Sequence, residues 1–154
     1  MKIRTHLFLS AMLMLQACHF ESYMPAQAKL KQTSGPAIDS VLQANKDVLP
    51  SEISLMAQKS MRSDNGQTSS YQTLVASGYQ DHLDNLDTAK ANAACLQLAK
   101  VILANVENDT SFDRIEILMQ KNEKSFLVEK EWSYSRGFDC SKLRALDAAK
   151  PAGQ

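Results

Sequence analysis

Between Leu7 and Leu15 the chain is apolar except for Ser10, with Lys2 and Arg4 before it and no acidic residue until Glu21. A basic start followed by a short apolar run is the layout of an export signal. The run falls well short of the roughly 20 residues that cross a bilayer as a helix, so it is expected to be removed rather than kept as a span. What has to fold is therefore the remainder, in a compartment where thiols oxidise.

The run ends in Leu15-Gln16-Ala17-Cys18. This stretch resembles the lipobox of bacterial lipoproteins, with a branched apolar residue at minus three and a small one at minus one before the cysteine. The resemblance implies that the Cys18 thiol takes a diacylglyceryl group, that the chain is cut before Cys18, and that the new amino group is acylated, with palmitate a typical chain. His19 in place of an aspartate implies, within that class, the outer membrane facing the periplasm. Each buried methylene holds by about 0.8 kcal/mol, so two or more chains retain a protein on a bilayer. Ala26-Gln27-Ala28 is the alternative. It fits the small-x-small rule of ordinary signal peptidase and would give a soluble periplasmic product.

The 154 residues suit one domain, and 17 basic residues balance 17 acidic ones, so no bulk field attracts nucleic acid. Residues 18–36 carry Pro25, Gly35 and Pro36 among polar residues and read as a lipidated N-terminus with a flexible tether. Residues 37–147 read as the domain, and residues 148–154 as a disordered tail.

Within the domain, Ile38, Val41, Leu42 and Leu49 predict a helix ending at Pro50, and Ser51 begins a second, carrying Ile53, Met56, Ala57 and Met61. Residues 63–70 are polar and predict a loop. Tyr71, Leu74, Val75, Gly78, Tyr79, His82, Leu83 and Leu86 follow a helical stripe, with Gly78 admitting a neighbouring helix. Asp87 or Thr88 caps a further helix through Ala91, Ala94, Cys95, Leu98, Ile102 and Val106. Alternation then predicts a hairpin, with Ile115, Ile117 and Met119 in one strand and Phe126, Val128, Trp132 and Tyr134 in the other. The expected fold class is α+β: a mostly helical small domain with a C-terminal antiparallel β-hairpin packed on a helix.

With Cys18 committed to lipid, Cys95 and Cys140 form an even remainder in an exported chain, which predicts one disulfide. No phosphate loop, metal-binding helix or nucleophile elbow occurs, so no catalytic residue, metal or cofactor is expected. His82 reads as structural, and Asp81, Asp84 and Asp87 as a solvated face. Trp132, Tyr134 and Phe138 lie in an aromatic-rich stretch, expected mainly as core and otherwise as the surface for a partner. The combined expectation is a lipid-anchored envelope protein, not an enzyme, that contacts the membrane through its lipid and binds an envelope protein in an accessory or assembly role. A ligand-binding or inhibitor lipoprotein is the alternative. A hydrolase of envelope polymers, built on unmotifed carboxylates, ranks third.

Overall fold

The computed structural model describes residues 28–31, 34–64, 67–124 and 129–148. The signal, Cys18 and most of the expected tether lie outside them, as do Phe126, Val128 and the chain end from residue 149. Helix α1 (Ser34–Ala44) leads into strands β1 (Ser54–Asp64) and β2 (Gln67–Tyr79). Helix α2 (Thr88–Asn105) follows, then strands β3 (Arg114–Lys124) and β4 (Glu129–Asp139) and helix α3 (Cys140–Ala148). Short 3₁₀ turns at Leu83–Asn85 and Asp109–Ser111 flank α2.

The strands form one four-stranded sheet in the order β1-β2-β3-β4. Both hairpins are antiparallel, while β2 and β3 run parallel, so the chain must cross over between them and α2 makes that crossing. The sheet is therefore mixed, and the mostly helical domain with a lone hairpin is corrected on this point.

Two segments expected as helices are strands, and the sheet explains why. In β2 the consecutive residues Thr73, Leu74, Val75 and Ala76 are all buried although they alternate between the two faces, with Leu74 and Ala76 in the core beneath the helices. Such a strand reads as a continuous apolar run that also satisfies helical spacing. In β1, Leu55 and Ala57 turn inward while Met56 faces out and is 59% exposed. An apolar residue on the outer face masked a true period of two. The expected loop at 63–70 is mostly strand: Asp64 pairs with Gln67, and the sequence between them is Asn-Gly, a strong short-range hairpin signal.

The three helices of the described residues share one side of the sheet. Ile38, Val41 and Leu42 of α1, Leu98 and Ile102 of α2 and Leu143 of α3 join one core with Leu74, Ala76, Ile115, Ile117 and Met119. Burying each large aliphatic side chain contributes about 1.5–3 kcal/mol. The Asp87 carboxylate caps α2, accepting from Ala89 N at 3.0 Å and Lys90 N at 3.1 Å. On β2, Gly78 serves a loop rather than a helix: a Cβ there would run into the Glu52 carbonyl and sit 2.7 Å from the Pro50 ring.

The disulfide is also corrected: Cys95 and Cys140 are both free thiols, each with no exposure. Even parity permits a bridge without placing two sulfurs together. Cys95 sits in α2 near Tyr134 and Arg136, while Cys140 opens α3 and donates its N–H to the Asp113 carbonyl at 2.9 Å. Burial pushes each thiol up to about 11, so both behave as small core residues rather than nucleophiles.

Residues 29–31 run beside the end of α2. Glu107 N donates to the Lys29 carbonyl at 2.7 Å, Lys31 N donates to the Asn105 carbonyl at 2.9 Å, and Leu30 bridges Val106. The chain is thus fastened to the end of α2 from Lys29 onward, and Ala28 packs against the core.

Candidate functional site

The register of β4 sends Trp132, Tyr134 and Phe138 to the helix side, opposite Lys121, Met119 and Ile115, where all three pack partly buried against the core. The Tyr134 hydroxyl donates to Asn92 Oδ1 at 2.8 Å, and burial raises its phenol pKa. The Lys121 ammonium stands 5.2 Å from the Trp132 ring centroid and pairs with Asp84 at 2.9 Å and Glu123 at 2.7 Å. These contacts tie β4 to α2 and to the 3₁₀ turn after β2.

A cleft of about 640 Å³ lies where β2, β3 and β4 meet α3 and includes Tyr71, Asp113, Arg114, Phe138, Asp139 and Lys142. Its two carboxylates are engaged by the fold. Asp113 Oδ2 accepts from Gln72 N at 2.8 Å. Asp139 Oδ1 accepts from Ser141 Oγ at 2.7 Å and Ser141 N at 2.9 Å, which caps α3 and holds the carboxyl below its ordinary range. Arg114 lies across Gly137, where it would occupy the space of a side chain. Asp139 is thereby kept ionised, the reverse of the raised pKa a general acid needs.

His82 is exposed beside the first 3₁₀ turn, and Asp84 pairs with Lys121 rather than with Asp81 or Asp87. Among the described residues no group of three His, Cys, Asp or Glu side chains converges to hold a metal ion.

Three of the four exposed large apolar side chains among the described residues, Leu30, Met56 and Tyr79, lie around the start of β1, a region expected as helix, while the fourth, Leu146, is on α3 beside the 640 Å³ cleft. Two clefts flank residues 51–55. One, about 380 Å³, runs between α1 and β1 and includes Leu30, Ile38, Asp39, Leu42, Glu52 and Leu55. The other, about 360 Å³, borders the open side of the sheet at Ser54, Ser77, Tyr79 and Gln120. Met56 and Tyr79 are among the most exposed large apolar residues, Tyr79 at 66%. The Leu55 and Ala57 alternation and the Asn-Gly pair were the signals that could have found this strand.

Comparison of the chain with protein-family models, with curated proteins and with solved structures returned no match.

Proposed function

We propose that the protein is a lipid-anchored component of the bacterial envelope whose domain acts by binding another envelope component, without catalysing a reaction. The observation that carries this reading is the gathering of exposed apolar side chains and two clefts along one sheet edge. The two carboxylates of the 640 Å³ cleft, by contrast, are spent on holding the fold. Anchoring rests on Leu15-Gln16-Ala17-Cys18 closing the apolar run. The packing of Ala28 against the core favours it over a cut after Ala28, which would discard that residue.

With Cys18 in the membrane and Lys29 at the fold, the intervening chain has a contour of roughly 35–40 Å at about 3.5 Å per residue. The domain would then sit at the membrane surface, able to turn but not to travel far.

The test is intact mass of the protein extracted from membranes, together with a thiol count after denaturation. A mature mass beginning at Cys18 with added acyl mass supports the anchor, and two titratable thiols support the unpaired state of Cys95 and Cys140. A chain beginning at Lys29 without lipid mass overturns it. The binding role is tested by crosslinking in living cells: a specific envelope partner supports it, and none recovered counts against it.

A further inference from the structure

The two outer strands of the sheet are built differently. β4 carries Glu129, Lys130 and Glu131 at one end and Arg136 and Asp139 toward the other, charges that discourage pairing with another strand, and the inward aromatics of its uncharged middle, Trp132 and Tyr134, pack on the core. β1 begins with Ser54, Leu55, Met56, Ala57 and Gln58, five residues without a charge or a proline. Its only strand partner among the described residues is β2, so on its outer side every second residue presents an unpaired N–H and C=O. Helix α1 docks chiefly on α2, which leaves the apolar groove between α1 and β1 beside that edge.

We propose that the edge of β1 at residues 54–58 accepts an extended segment of a partner protein by strand addition, the segment carrying apolar and basic side chains. Main-chain hydrogen bonds to β1 supply affinity, and side chains entering the groove supply selectivity. The groove is apolar at Ile38, Leu42 and Leu55, and is bordered by the exposed carboxylates of Asp39 and Glu52, neither of which has an ion pair among the described residues. A lysine or arginine meets both demands, its methylene stem lying on the apolar floor and its charge reaching a carboxylate. A second copy of this chain would bring its bases, Lys59 and Arg62, only beyond residues 54–58, so the mass of the free chain separates that occupant from a basic partner segment. This inference rests on the binding role proposed above and names the surface that performs it.

The experiment is an NMR and amide-exchange titration of the full mature chain with a synthetic heptapeptide, Lys-Val-Lys-Val-Arg-Val-Lys. Its charge-reversed counterpart, Glu-Val-Glu-Val-Glu-Val-Glu, serves as the control. Expected are shifts and slowed exchange at residues 54–58 with the basic peptide, and binding weaker by about tenfold or more with the acidic one. The double variant Asp39→Lys with Glu52→Lys changes only exposed side chains and should invert that preference. Perturbation confined to β4, no perturbation of β1, or equal binding of both peptides would overturn the proposal. So would slowed exchange at β1 with a doubled mass before any peptide is added, which would make the occupant a second copy. A cellular partner that leaves β1 unprotected would refute this edge and keep the binding role. Selective docking of the basic peptide with no partner in cells would do the opposite.

Discussion

The two edges of the sheet share one core and one crossover helix, yet only one is guarded. β4 carries charges toward both ends, at Glu129 to Glu131 and at Arg136 and Asp139, and the aromatics of its uncharged middle are fastened by the Tyr134 bond to Asn92 and by Lys121 beside the Trp132 ring. β1 has neither charge nor anchoring aromatic over its first five residues. A protein that needed only to stay folded would protect both edges, because an unpaired apolar strand invites aggregation. The difference teaches that an interaction surface can be recognised by what the sequence leaves undefended, as well as by what it adds.

The sharpest way to break this comparison uses two glycines. Gly78→Ala should cost about 1–3 kcal/mol in urea unfolding, because the new Cβ meets backbone and a proline ring and must push residues 50–52 away from β2. Gly137→Ala meets only the mobile end of Arg114 and should stay within about 0.5 kcal/mol. Equal costs would show that the β1 side is not the more tightly determined of the two.

Intermediate effects separate what the edges share from what they do not. Asp87→Ala removes the cap of the common helix and should lower stability by about 1 kcal/mol, seen as a lower Tm and faster amide exchange near both edges. Tyr134→Phe should cost about 0.5–1.5 kcal/mol and quicken exchange along β4 alone. Spread of that effect to β1 would mean the edges are not energetically distinct.

Acid should act where carboxylates hold the fold. Asp84 is held below its ordinary range by Lys121, Asp139 by Ser141, and Asp47, in the turn after α1, by Lys90. A carboxylate with a lowered folded pKa gives stability that is complete above its unfolded value of about 3.9 and is lost as pH falls through the lower folded value. Exchange at 121–124 and 129–132 should therefore rise below about pH 4 while residues 54–58, which carry no carboxylate, change less. The smallest effect belongs to Met56→Lys, which should shift stability by no more than about 0.5 kcal/mol while protecting the β1 edge.

Much of the β3 and β4 half was legible because its outer strand alternates cleanly and its inner strand keeps Arg114, Glu116 and Gln120 against Ile115, Ile117 and Met119. The helix from Thr88 was legible through its Asp87 cap. The β1 and β2 half was not. Thr73 to Ala76 of β2 are buried without a break, and Met56 turns an apolar side chain outward, so the period of two disappeared into an apparent helical stripe. The candidate site was missed for the same reason, since Asp39 and Glu52 acquire meaning only once α1 and β1 are known to border one groove. The cysteines failed differently: an even count carries no information about distance, and each sulfur fills its own part of the core.

The most direct measurement places a photocrosslinking amino acid at Met56 or at Ser133, one at each edge, in the full chain expressed in living cells. The account predicts one discrete adduct from position 56, lost in the Asp39→Lys and Glu52→Lys double variant, and none from position 133. Adducts from position 133 alone, or equally from both, would contradict it.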